Sequence, residues 1–163
     1  MTMDHYDNMP TVVVVLVPLR SGLLMIRRAL PGEGQGKLAL PGGYQMLGQT
    51  WQEAGAREVL EETGVVIAPE VLRVVTVETT PDRQQNLLFC QSPPVEHEVA
   101  FVHDAEVSEV LVVHEPLETA FPLHTQVVRE YFAPSDVTND SRCQQTLVGL
   151  PEPPRLKRLL PHA

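Results

Sequence analysis

The stretch Arg57-Glu58-Val59-Leu60-Glu61-Glu62-Thr63-Gly64-Val65 sets three carboxylates within five residues of a segment that reads as one short helix. Like charges so close repel one another and weaken a helix. On a solvated face that cost is small. Gathered on one flank and turned toward a cleft, the same acids call for a cation, so a divalent metal site is the leading reading. A metal held this way points to chemistry on phosphates.

The residues on either side give the helix its ends. Thr50 followed by Glu53 is a capping box, which predicts a helix body over 51–63. Gly64 stands where a helix C-terminus takes a left-handed residue. At about 100° per residue, Ala56, Val59 and Leu60 share one flank, and Glu58, Glu61 and Glu62 share the next. The helix can then pack on a core while its acids face a cleft.

Upstream, residues 12–17 form an apolar, β-branched run, the mark of a strand buried on both faces. Leu19-Arg20-Ser21-Gly22 reads as a turn, residues 23–28 as the returning strand, and Leu38-Ala39-Leu40 as a short strand closed by Pro41-Gly42-Gly43. The glycines at 32, 34 and 36 lack the Lys-Ser/Thr ending of a phosphate-cradling loop and fit a mobile loop beside a cleft. Downstream, strands are expected near 71–79, 85–91, 98–102 and 109–114. A second helix over 122–132 has Pro122 in its first turn and Leu123, Val127, Val128 and Tyr131 on one apolar face. Strands interleaved with two helices predict an α/β (α+β) fold, a mixed central sheet with helices on its faces.

The chain has 163 residues, enough for one domain with a real core, and 43% of them are hydrophobic, which argues against disorder. Residues 1–134 are expected to form that domain. Residues 135–163, a polar run followed by Pro151, Pro153, Pro154 and Pro161, read as an extension. Its basic cluster of Arg155, Lys157 and Arg158 suits a solvated tail or a docking segment. A net charge of −9 opposes binding to nucleic acid. Cys90 and Cys143 make neither a disulfide framework nor a zinc signature. No apolar run is long enough to cross a bilayer and the N-terminus carries no secretion signal, so a soluble, cytoplasmic protein is expected.

Residues 43–65, from Gly43 through Gln49 and Arg57-Glu58 to Glu61-Glu62-Thr63-Gly64-Val65, resemble the Nudix box, G-x5-E-x7-R-E-U-x-E-E-x-G-U with U a bulky apolar residue. Gln49 stands where the first Glu is expected; every other fixed position fits. The resemblance extends over roughly residues 10–133 and implies a Nudix-like α/β/α sandwich. It implies a pyrophosphohydrolase that uses Mg2+, with Mn2+ as the other candidate ion, to cleave the phosphoanhydride of a nucleoside diphosphate linked to another group. Glu58, Glu61, Glu62 and the backbone carbonyl of Gly42 would bind metal. Glu61, Glu106 and Arg57 are the candidate catalytic residues. Glu109 is second choice to Glu106, with Glu96 and Glu98 behind. In the family, the residue at position 49 pairs with that at 57, so Gln49 is expected to slacken Arg57 and leave it freer to pair with Glu58 or Glu61.

Arg27 and Arg28 end the second strand and could meet a phosphate. Tyr44 and Trp51 are candidates for base stacking, and Phe89 suits a core. His97, His103, His114 and His124 form no metal pair at helical spacing and read as structural or exposed. Pro81 lies sixteen residues beyond Val65. In similar proteins a proline near that offset goes with ADP-ribose hydrolysis, which slightly favours ADP-ribose or a nucleotide sugar. The alternatives are a nucleoside triphosphate pyrophosphatase and a weakened, nucleotide-binding sensor. Homodimers, common among relatives, are a further implication.

Overall fold

The computed structural model describes residues 8–96 and 105–134. The chain divides into two units, residues 1–132 and 133–163, and every described element belongs to the first. The expected strand at 98–102, His97, His103, Glu98, Cys143 and the basic cluster at 155–158 lie outside the described residues.

The valine run forms β1 (Thr11–Leu16). Alternate side chains of a strand point to opposite faces, and here both faces are buried. Val13 and Val15 enter one core with Ala54, Val59, Leu72 and Cys90, while Val14 and Leu16 enter another with Leu23, Met25, Phe89, Val127 and Val128. Two helices cover these faces. α1 (Trp51–Thr63) supplies Ala54 and Val59 to the first core, and α2 (Pro122–Phe132) supplies Val127 and Val128 to the second. Fully burying a side chain of this kind is worth about 1.5–3 kcal/mol, so β1 anchors both layers. Trp51 and Phe89 pack into these cores rather than offering a stacking surface.

β1 pairs antiparallel with β5 (Gly42–Tyr44) and parallel with β7 (Asn86–Gln91). Beyond β7 lies β6 (Arg73–Thr79), giving a mixed sheet of order β5-β1-β7-β6. A second, antiparallel sheet holds β2 (Pro18–Leu19), β3 (Gly22–Arg28) and β4 (Leu38–Ala39), with β8 (Val107–Val113) also paired to β3. The returning strand therefore leaves β1 and joins another sheet. Arg20 and Ser21, both at positive φ, turn the chain back onto Pro18–Leu19, and β1 keeps its two edges for β5 and β7. Pro41-Gly42-Gly43 does more than close the short strand, because Gly42 and Gly43 begin β5.

The helix boundaries agree with their sequence signals. Thr50 Oγ1 accepts the Glu53 N–H at 3.2 Å, and Glu53 Oε2 accepts the Thr50 N–H at 2.8 Å. At the other end Gly64 takes φ 74° and donates to the Leu60 carbonyl at 2.9 Å, a conformation that costs a residue with a Cβ about 1–2 kcal/mol. No helix among the described residues is long and apolar enough to cross a membrane.

Candidate functional site

The acids of α1 meet β5, the strand that precedes them in sequence. Gly42 donates its backbone N–H to Glu62 Oε2 at 2.8 Å. Gly43 lies against the Glu58 carboxylate, so close that a Cβ at 43 would collide with it. Both glycines are held by pairing with β1, Gly42 opposite Val14 and Gly43 opposite Val13. The capped helix and the paired strand thus place Glu58 and Glu62 by rigid elements.

Glu62 is 7% exposed. Burial pushes its carboxyl up to about 8; the Gly42 N–H opposes this, the charges of Glu58 and Glu106 add to it, and Arg28 pulls it back. Glu58 is also raised, chiefly by burial, against the attraction of Arg57, with Glu61 and Glu106 raising it further. Glu106, just ahead of β8, thus belongs to the same electrostatic neighbourhood as Glu58 and Glu62. Its backbone carbonyl accepts the Ala29 N–H at 2.7 Å, which ties it to the end of β3.

Arg57 spans the cluster. Its Nη1 lies 2.7 Å from Glu58 Oε1 and 2.8 Å from Glu61 Oε2, and its Nη2 donates to the Tyr44 carbonyl at 3.0 Å. Burial lowers its pKa, but the two carboxylates more than restore it and the net shift is upward. Arg57 Nε is buried and has no hydrogen-bond partner among the described residues. Gln49 Oε1 accepts the Met46 N–H at 3.2 Å, and its backbone carbonyl accepts Gln45 Nε2 at 2.7 Å.

Gly42 and Gly43 also line a cavity of about 600 Å³, within the range of small-molecule sites. Its walls include Arg28 of β3, Tyr44 of β5, Pro81 in the β6–β7 turn, and Phe121 and His124 at the start of α2. The Arg28 guanidinium lies 4.9 Å from the Phe121 ring centre, and its Nε is buried without a partner among the described residues. His124 accepts the Leu40 N–H at 3.4 Å on Nδ1 and sits edge-on to Phe89. Burial, then the Arg28 charge, pushes its pKa down to about 4. Tyr44 OH accepts Gln85 Nε2 at 2.8 Å, joining β5 to the β6–β7 turn.

The two neighbouring arginines part company. Arg28 and Tyr44 reach the cavity, whereas Arg27 pairs with Glu109 at 2.6 Å and with the Gly36 carbonyl at 3.1 Å. Glu109 is engaged by that pair, and Glu96 is exposed. Among the described residues, no group of three acidic, histidine or cysteine side chains stands close enough to hold an ion as placed: Glu58 and Glu61 turn to Arg57, and Glu62 to Gly42. The donor set itself suits a hard divalent cation, all carboxylate oxygen, and two of the acids carry a desolvation cost that such a cation would relieve. His124 is structural, as expected, and not exposed; its place in the cavity wall is a further role that the sequence does not announce. Its spacing of three and four residues from Val127 and Val128 was the available signal of an inward face.

The sequence pattern of the NUDIX domain matches residues 7–136. Over 114 residues the chain is 31% identical to the ADP-ribose pyrophosphatase of Methanocaldococcus jannaschii, a match covering 67% of this chain and 64% of that protein's length. In structure it resembles a NUDIX hydrolase from Nitrosomonas europaea, with a TM-score of 0.64, 21% identity, and coverage of 78% of this chain and 72% of the other. It also resembles a MutT protein from Methanosarcina mazei Go1, with a TM-score of 0.60, 23% identity, and coverage of 76% and 91%. With the acidic helix, its caps and the Gly42-Gly43 strand disposed as described, the chain belongs to the NUDIX domain family.

Proposed function

We propose that this protein hydrolyses the phosphoanhydride of a nucleoside diphosphate linked to another group, with ADP-ribose the favoured substrate. One observation carries the reading. Gly42 and Gly43, which touch Glu62 and Glu58, are also part of the cavity wall, so the acids stand beside a chamber of nucleotide size. Pro81 in that wall and the 31% identity to a protein named an ADP-ribose pyrophosphatase favour ADP-ribose within the class.

Glu58, Glu61 and Glu62 are the residues that would hold a divalent cation, Mg2+ or Mn2+. When bound, it would neutralise charge on the phosphoryl oxygens and acidify a water. The chain's own residues do the rest. Arg28 offers a positive charge, and an Nε with no partner among the described residues, to a phosphate or sugar oxygen. Tyr44 and Phe121 supply aromatic surface for a base or ribose. Glu106, coupled by charge to Glu58 and Glu62, would accept a proton from the attacking water. Arg57 holds Glu58 and Glu61 in position.

A second reading is favoured by that same grip. With Glu58 and Glu61 committed to Arg57, and Gln49 unable to offer it a charge, a nucleotide-binding sensor of low turnover fits the arrangement. A substrate panel separates the two. ADP-ribose, a nucleotide sugar and a nucleoside triphosphate would be incubated with and without MgCl2 or MnCl2. Metal-dependent release of AMP and ribose 5-phosphate from ADP-ribose is the expected result. Tight nucleotide binding without turnover supports the sensor, and release of pyrophosphate from the triphosphate alone overturns the substrate assignment.

A further inference from the structure

The edge strand β6 carries an apolar surface that the site does not use. Val74, Val75 and Val77 are 49%, 47% and 56% exposed, and β6 ends its sheet, with β7 its partner among the described strands. Exposed edges of this kind pair with other chains unless lysine, proline or a bulge blunts them. Residues 73–79 contain no lysine and no proline, but they do contain a bulge.

That bulge alters what the edge can pair with. Val74 lies opposite Cys90 and Thr76 opposite Phe89, so Val75 is the extra residue. In a regular strand Arg73 and Glu78, five residues apart, would point to opposite faces. Here the extra residue brings them to the same face, with Thr76, because their partners Gln91, Leu87 and Phe89 alternate regularly along β7. Val74 and Val77 fall together on the other face.

We propose that β6 is a self-complementary edge at which two copies of this chain pair antiparallel about a two-fold axis through the bulge. In that register Arg73 of each copy faces Glu78 of the other, and Val74 faces Val77. Oppositely charged and apolar pairs directly across an antiparallel ladder stabilise it, and an isologous interface repeats each pair twice. Both charges are available. Among the described residues, exposed Arg73 bonds only the Glu70 and Leu72 carbonyls, Glu78 accepts only the Thr76 hydroxyl, and neither has an ion-pair partner. The same pairing covers the three exposed valines at the sheet's end.

Light scattering on the 163-residue chain across a dilution series tests this. The wild type should show twice the 18.1 kDa chain mass. Arg73→Glu and Glu78→Arg should each weaken the dimer about tenfold or more, since each places like charges opposite one another twice. Mixing the two variants should restore the dimer, because one copy then carries carboxylates at both positions and the other guanidinium groups at both, so every facing pair is again of opposite charge. A monomeric wild type, a dimer indifferent to both reversals, or two dissociated variants that fail to recombine would each overturn the proposal.

Discussion

Gly42 donates its backbone N–H to Glu62 Oε2 across 2.8 Å, joining the first residue of β5 to the last turn of α1. One hydrogen bond is a small return for a carboxylate that is almost wholly buried, and the raised pKa of about 8 measures the shortfall. Because the folded-state value lies above the ordinary 4.5, Glu62 favours the fold fully below that pH. The contribution is lost as pH rises from 4.5 through about 8. Without divalent ions, Glu62→Gln should therefore melt above the wild type at pH 9, by at least about 2 °C, and the gap should narrow at pH 5. Calorimetry at the two pH values checks this. The same variant should lose at least about a hundredfold in phosphoanhydride hydrolysis if Glu62 serves the site.

Arg57 is the second point of tension. Its Nη1 serves both Glu58 and Glu61, while its buried Nε has no partner among the described residues. The Gln49 side-chain oxygen is spent on the Met46 N–H. A carboxylate at 49 would offer Arg57 a charge-assisted partner and ease its hold on the acids. Gln49→Glu should raise kcat and lower the divalent-ion concentration needed for half-maximal rate. An unchanged or lower rate in metal titrations would set this account of Gln49 aside.

The elements closed by local chemistry were legible in the sequence. α1 begins at a capping box and ends at a left-handed glycine, and the structure gives it residues Trp51–Thr63 as the pattern predicts. The valine run of β1 announced burial on two faces, and two cores and two helices satisfy it. Partner choice was not legible. Nothing local tells residues 22–28 to leave β1 for a second sheet, because that depends on which strand edges are already taken. Nor could adjacency distinguish Arg27 from Arg28. Neighbours on a strand point to opposite faces, but which face meets the cavity is decided by β4, β8 and α2. The cavity wall itself is assembled from Arg28, Tyr44, Pro81 and His124, which only the folded sheets bring together.

His124 makes the fold sensitive to acid. Its pKa is lowered from 6.5 to about 4, by burial first and the Arg28 charge second. Between those values the unfolded chain binds a proton that the folded chain refuses, so stability rises with pH across that interval. The contribution is complete above 6.5 and lost as pH falls toward 4, on the order of 3 kcal/mol at most. His124→Asn keeps a polar side chain without the titration. Its melting temperature, measured from pH 4 to 7, should follow a flatter curve than the wild type, even though it starts lower. Parallel curves would mean that other groups govern the acid limb.

Two adjacent glycines should fail in different ways. A Cβ at Gly42 would meet the Val13 carbonyl oxygen and the Val14 Cα, main-chain atoms of the central strand that cannot yield without opening β1. A Cβ at Gly43 would meet the Glu58 carboxylate, the far end of a flexible side chain that can swing aside. Gly42→Ala should therefore lower the melting temperature by several degrees, since even 1 kcal/mol shifts it by about 2–8 °C. Gly43→Ala should melt within about 2 °C of the wild type and still lose most of its activity, because the space it fills is where Glu58 sits. Thermal melts paired with hydrolysis rates resolve the two. If Gly43→Ala kept full activity, the approach of β5 to Glu58 would be a packing detail and not part of the site.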